Sequence, residues 1–382
     1  MKIKKTIFTA AILMAAVCLP AQNKSAGINI SIWKDICTQP HDSTQTTYVN
    51  IGLLSTMNRL NGVGITALGS VVHGDMNGVQ ITGLANLAGG TMRGVQLAGI
   101  SNISGNNTVG LSAAGLVNIT GDRTQGVIIS GLTSIGGDNT SGLMISGFMN
   151  VTGNMASGLH FSGAANITGQ SFGGLMASGL LNVVGEHMNG LQMAGIANIT
   201  ASKLNGVQIA LCNYATQARG LQIGLVNYYK EDMKGFQLGL VNANPDTRVQ
   251  MMVYGGNATP ANIGVRFKNQ LFYTILGIGS MYQGLNDKFS ASASYRAGLS
   301  FTLYKGLSIS GDLGYQHIEA FDNKDEVIPK RLYALQARAN LEYQFTRKFG
   351  IFATGGYGLT RFYNKSSNYD KGAIIEAGIV LF

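Results

Sequence analysis

"GVQITGLANLAGGTMR" fills Gly78–Arg93, and "GVQLAGISNISGNNTV" follows at once from Gly94 to Val109. Copies begin again at Gly110, Gly126, Gly142, Gly158, Gly174 and Gly190, so the chain repeats itself every sixteen residues. Each copy has Gly at position 1, Val or Leu at 2, usually Ile, Leu, Phe or Met at 4 and Gly at 6. It continues with usually Leu or Ile at 7, Asn at 9, an apolar residue at 10 and Gly at 12. Two short apolar pieces, such as Val79 with Ile81 and Leu84 with Leu87, are separated by a small residue and Gly. A polar tetrapeptide such as "DRTQ" closes the unit. That pattern reads as two short strands and two corners. Units too short to bury their apolar face alone are the signature of stacked architectures in which neighbouring coils complete the core. The expectation is a β-solenoid with one coil per sixteen residues.

Glycine suits the corners, where a positive φ or close backbone approach excludes a Cβ. The Asn column (Asn86, Asn102, Asn118, Asn150, Asn166, Asn182, Asn198, with Ser134 as its exception) is expected to stack into a ladder. Each buried amide left without a partner would cost about 1–3 kcal/mol. The alternative makes each repeat one transmembrane strand plus a turn in a single large barrel. The tetrapeptides "GTMR", "NNTV", "DRTQ", "DNTS", "NMAS", "QSFG" and "EHMN" show none of the two-repeat alternation such a barrel imposes, and aromatic girdles are missing from 62 to 205. The later copy "GVQIALCN" at Gly206–Asn213 also loses one residue, which swaps the faces of a continuous strand but is absorbed at a corner.

Composition narrows the function. The 53 glycines among 382 residues are about twice the usual share of roughly 7 %. After the first segment no apolar run is long enough for a membrane helix, so any insertion must be as a β-barrel. "MKIKKTIFTAAILMAAVCLPAQ" has a basic start, an apolar middle and a small residue, Ala21, before Gln22, which reads as a signal peptide over 1–21. Val17 departs from a lipobox before Cys18, so cleavage after Ala21 is preferred. Losing the three signal lysines takes the formal charge from +9 to +6 with no basic block, and nucleic-acid binding is not supported. Cys37 and Cys212 remain and are read as two buried thiols. The histidines at 41, 73, 160, 187 and 317 are read as surface or loop residues, because their scatter fits no zinc spacing.

After about Asn244 the period changes to two. Tyr333, Leu335, Ala337, Ala339, Leu341, Tyr343 and Phe345 alternate with Ala334, Gln336, Arg338, Asn340, Glu342 and Gln344. Eight such strands are expected, near 248–254, 262–268, 270–282, 290–304, 306–319, 332–346, 348–363 and 372–382. Tight links "YKG" and "TRK" alternate with longer polar ones, "QGLNDKF", "AFDNKDEVIPK" and "NKSSNYDK", as periplasmic turns alternate with external loops in outer-membrane barrels. The chain would then enter the barrel from the periplasm. The C-terminal Phe382 resembles an outer-membrane assembly signal, although Glu376 shares its register. The expected organisation is a signal peptide over 1–21, an N-terminal cap over 22–47 with a degenerate first coil at Tyr48–Ser55, a repeat solenoid over 48–244 and an outer-membrane barrel over 245–382.

"GLQIGLVNYY" at Gly220–Tyr229 and "GFQLGLVNA" at Gly235–Ala243, followed by "NIGVRF" and "LFYTILGIGS", resemble a family of surface-repeat proteins from bacteria with two membranes. Its repeats read G-[LV]-Q-[IL]-G-L-V-N and precede a β-rich C-terminal region. The resemblance implies a cell-envelope protein and carries over no activity and no functional residue. "DST" at Asp42–Thr44 resembles a bacterial O-glycosylation acceptor and reads equally as a polar loop.

The functional expectation is therefore a structural or adhesive envelope protein. Its partners would be outer-membrane lipid, the barrel-assembly machinery and a surface or periplasmic protein or glycan. A transporter or channel with repeats as barrel strands is the alternative. An enzyme ranks last, because no nucleophile elbow, phosphate loop or histidine–carboxylate cluster is found. No catalytic, cofactor or metal residue is assigned. Only Asp122 and Asp138 recur at the corners, too few for a calcium repeat.

Overall fold

The computed structural model describes residues 27–33, 36–39, 45–280, 282, 289–321, 331–363 and 368–382. The expected signal peptide with Cys18, residues 41–44 with "DST", and most of the three long polar connections lie outside them. The regular structure described is entirely β. The chain divides into two compact units, Met1–Leu221 and Gln222–Phe382.

In the first unit every repeat makes a long strand and a short one, as Met76–Thr82 and Ala85–Ala88 do. These strands pair in parallel with the same strands one repeat away: Gly78 meets Gly94 and Asn86 meets Asn102. The fold is a β-solenoid of about 12 turns. A single large barrel would instead pair successive strands antiparallel, and that is not how these strands run. The stack begins with Ile28–Trp33, which lies parallel to the strand Thr46–Met57, Val49 facing Ile28. Ile36–Cys37 folds back antiparallel on it and covers part of its free edge, which would otherwise template further strands.

The expected core is inverted. Ile81, Leu84 and Leu87, read as pieces of a buried face, are exposed, and Val79 is half-buried. Gln80 and Thr82 point inward instead, together with Asn86 of the Asn column, which is buried as expected. Apolar packing lies at the far side of each coil, where Leu60, Met76 and Met92 stack with Met57, Val72 and Ala88. The third residue of each "polar" tetrapeptide, Met92 in "GTMR" or Phe172 in "QSFG", is therefore the first or second residue of a strand and buried. Period-two alternation separates two faces without saying which is inside. Assuming an aqueous exterior selects the wrong one here.

Backbone geometry explains the glycines. The position-1 residues from Gly78 to Gly206 all have φ between 106° and 146°. A Cβ on Gly142 would lie 2.1 Å from the carbonyl oxygen of Gly126 in the coil before. Coils at sheet spacing leave no room there for a side chain.

The second unit holds a closed antiparallel barrel. Its strands are β1 (Arg248–Gly256), β2 (Ala261–Asn269), β3 (Phe272–Ser280), β4 (Ser290–Tyr304), β5 (Leu307–Ala320), β6 (Arg331–Thr346), β7 (Phe349–Phe362) and β8 (Asn368–Leu381). β1 closes the ring on β8, Met251 facing Leu381. The count is the expected eight, and the short turns follow β2, β4 and β6. Leu335, Leu341, Tyr343 and Phe345 face out, while Gln336, Arg338, Asn340 and Glu342 are buried in the lumen. Glu376 shares that inward parity, which explains its departure from an apolar C-terminal strand. Ahead of β1 the same unit carries the last coils, built from Val226–Leu238 and Val241–Ala243.

Candidate functional site: barrel lumen and coil edges

An eight-strand barrel has an interior that side chains can fill. Alternation delivers three arginines and three carboxylates into this one, and they pair. Arg296 on β4 donates from Nε and Nη2 to the two Asp312 oxygens, both at 2.8 Å, and its Nη1 lies 3.6 Å from Glu376. Arg338 reaches Glu376 at 3.2 Å, and Arg266 grips Glu342 at 2.6 and 2.9 Å while donating to Gln250. Asn340 and the Tyr273 hydroxyl donate to Asp312, and the guanidinium of Arg296 lies over the Tyr254 ring at 5.8 Å. Charge-assisted, bidentate bonds of this kind are the strong class. They tie β2, β4, β5, β6 and β8 together across the lumen.

Beyond the network lies a cavity of about 510 Å³, lined by Tyr282, Gln336, Thr360, Asp370 and Ile374. The Tyr282 hydroxyl bonds Thr360 at 2.6 Å. The cavity ends on Gln336, the neighbour of Arg338 on the same face of β6.

The coils carry their polarity inside. Asn86 donates to Asn102 at 2.9 Å and Asn102 to Asn118 at 3.0 Å; the ladder resumes from Asn150 through Asn166 and Asn182 to Asn198, and then Asn213. Each amide also donates to a backbone carbonyl of the next coil, as Asn86 does to Leu97 at 2.9 Å. At the exception, Ser134 is bridged by Ser130 and Ser146, which link Asn118 to Asn150. The shortened copy keeps the Asn198–Asn213 bond, so its missing residue is absorbed at a corner. Glutamines pair in a second inward column, on either side of Ser112, Ile128, Met144, His160 and Met176: Gln96 donates to Gln80 at 2.9 Å and Gln208 to Gln192 at 2.8 Å.

The coil exterior is amphipathic. Along one corner run Leu68, Leu84, Ile100, Leu116, Leu132, Phe148, Leu180, Ile196 and Leu211, all exposed. The opposite edge carries Arg93, Asp122, Arg123, Asn154, Gln170 and Glu186, also exposed. Asp138 on that edge accepts a bond from Asn154.

Two sequence expectations are corrected here. Cys212 is exposed and Cys37 half-buried, the latter donating to the Gln39 carbonyl at 3.0 Å, so neither is a fully buried thiol. His73 and His187 are exposed as expected, but His160 is 1 % exposed, because it occupies the inward column between Met144 and Met176. Its Nε2 has no hydrogen-bond partner among the described residues, and its ring packs edge-on to Phe172 at 5.0 Å. Burial pushes the imidazole down to about 4 from its ordinary 6.5. The unfolded chain takes up a proton as pH falls through 6.5, whereas the folded coil resists until about 4. Stability should therefore fall across that window, by about 2 kcal/mol at pH 5. His160→Met, matching its neighbours, is expected to flatten this dependence in thermal unfolding at pH 7 and 5; an unchanged pH slope would contradict it.

Among the described residues no group of three or more His, Cys, Asp or Glu is placed to hold a metal ion. No family model matches the chain, and no curated protein does. Among solved structures, the crystal structure of the N-terminal β-barrel domain of Pseudomonas aeruginosa OprF aligns with 35 % of this chain and 93 % of its own, at 16 % identity and a TM-score of 0.25.

Proposed function

We propose that this is a structural protein of the bacterial outer membrane, in which the barrel is an anchor and the coils are a scaffold for an envelope protein or glycan partner. The observation that carries this is the pairing of a closed barrel, apolar outside and crossed by buried ion pairs, with a repeat stack whose inward asparagines bond one another from coil to coil. A barrel of this kind is consistent with an outer-membrane location. The channel reading loses its basis, because the Gln, Ser and Asn residues that would have lined a wide lumen line the coil interior instead.

Two measurements test the proposal. Reconstituted in planar bilayers, the protein is expected to give no stepwise conductance above the lipid background; open-pore steps would restore the channel reading. In whole cells, single cysteines at Asp122, Asp138, Asn154 and Gln170, with Cys37 and Cys212 replaced, are treated with a membrane-impermeant thiol reagent. The chain enters β1 from the short-turn side, so these positions are expected to stay unlabelled while Lys371→Cys, beside an outer loop, reacts. Labelling at all four would make the protein a surface adhesin instead.

A further inference from the structure

The apolar corner has no covering in the fold. In the first unit it runs from Leu68 to Leu211 over nine coil steps, about 40 Å at the spacing of paired strands. Half-buried or exposed aliphatic residues flank it on both sheets, among them Ile65, Ile129, Ile145 and Met193 on one side and Leu87 and Ile135 on the other. No outward position of this strip carries a charge between 62 and 199 apart from the opposite, polar edge. A continuous apolar surface of that size marks an interaction site.

We propose that the coil stack is embedded in one monolayer: the apolar ridge lies among the acyl chains of the periplasmic leaflet, and the polar edge stays in water. This rests on the outer-membrane reading above. Three observations favour lipid over a protein partner. The strip is a convex ridge almost without hydrogen-bonding side chains, which suits acyl chains, whereas protein interfaces carry polar rims and about one hydrogen bond per 100–200 Å². The Asn amides beneath it donate to the next coil and to its backbone carbonyls, which keeps most of their polarity within the stack, as suits a place where no water reaches. Within the second unit, the last coil already lies on the lipid-facing side of the barrel. The Tyr295 hydroxyl donates to the Gly239 carbonyl at 2.7 Å, Thr274 to the Leu240 carbonyl at 3.2 Å and Asn269 to the Asn242 carbonyl at 2.7 Å. Tyr295 and Thr274 project outward, opposite in parity to lumenal Arg296 and Tyr273. Thr274 lies just after the short turn at Gln270–Leu271, which puts the contact in the periplasmic half of the wall. Beside it, Phe236 and Leu238 are exposed at 69 % and 53 %. Such a ridge, three to four residues deep along each strand, spans about 10 Å, the depth at which interfacial amphipathic elements sit.

The test uses the full-length protein in phosphatidylethanolamine–phosphatidylglycerol vesicles, with nitroxide labels on single cysteines in a background lacking Cys37 and Cys212. Collision with oxygen, which partitions into lipid, is compared with collision with a water-soluble nickel chelate. Leu116→Cys and Leu180→Cys are expected to collide severalfold more with oxygen than with the chelate, and Asp122→Cys and Glu186→Cys to show the reverse. Ridge labels open to the chelate, or shielded from both probes by a second copy, would overturn the proposal. Leu313→Cys, on the outward face of β5, separates the two readings: if it too meets the chelate, the barrel does not span and the outer-membrane reading fails first. Because ridge labels add a bulky polar group, Phe148→Trp in a Trp33→Phe background gives a second readout. Its fluorescence should lose most of its intensity in vesicles of acyl-brominated lipid, and unquenched emission would count against embedding.

Discussion

Gly174→Ala is expected to destabilise the coil stack by about 3–5 kcal/mol, while Gly173→Ala, one residue away, changes stability by less than about 0.5 kcal/mol. The two differ in surroundings alone. Gly174 has φ of +130°, and its Cβ would lie 2.2 Å from the Gly158 carbonyl oxygen, whereas a Cβ on Gly173 meets nothing within 4 Å. A non-glycine residue forced into such a backbone region costs about 1–3 kcal/mol. The clash adds to this, because the atom struck is backbone held in the ladder and cannot rotate away. Gly173 stands in a column whose neighbours, Ser157 and Asn189, already carry side chains. Thermal unfolding of the two variants in detergent reads the contrast. Equal losses at both positions would mean that glycine is there for chain flexibility and not for spacing.

The second large effect lies in the barrel. Arg296→Met strands Asp312 without its cation and leaves Glu376 to Arg338 alone, in a site where the Arg296, Asp312 and Glu376 side chains are at most 3 % exposed. Removing one partner of a buried pair costs about 3–5 kcal/mol, since the remaining charge stays desolvated. The expected result is a barrel that unfolds at clearly lower urea in vesicles and loses its compact band on unheated gels. Arg331→Met is the matched control. Its bond to Glu319 is exposed, and pairs of that kind contribute about 0–1 kcal/mol. Replacing Asp312 by Leu alongside Arg296→Met should recover part of the loss, because the pair then leaves together. If Arg296→Met were as mild as Arg331→Met, the ion pairs would not be what closes the lumen.

Much of this was legible in the chain because both units obey short periods. The sixteen-residue spacing of Gly and Asn carried the coil, its two strands and its ladder; the period of two in Tyr333–Phe345 carried the barrel, its lumenal charges and its strand count. What stayed hidden depended on the surroundings. The burial of the Asn column was read correctly, but the alternation of Gln80 and Thr82 with Val79 and Ile81 is the same string whichever face is inside, so its direction could not be read from it. His160 escapes the sequence for a related reason: one histidine between Met144 and Met176, in a column that also holds Gln, Ser and Ile, gives no local sign of burial. The lumenal network was likewise invisible as a constellation, since Arg296, Asp312, Arg338 and Glu376 come from four strands that only ring closure brings together.

The Asn ladder has a sense. Each Asn–Asn bond in it is donated by the earlier coil to the later one, and the donor's second bond, to a backbone carbonyl, fixes which atom is nitrogen. The Gln ladder runs the other way, Gln96 to Gln80 and Gln208 to Gln192, so the two columns of amide dipoles oppose each other where both are present. At the first coil Asn29 donates to Asn50, and its own oxygen is left without a partner among the described residues. That oxygen is buried, so the open acceptor is closed inside the first coil and offers nothing to a second molecule. A side-chain column with a sense thus ends within the stack and does not carry over to another copy.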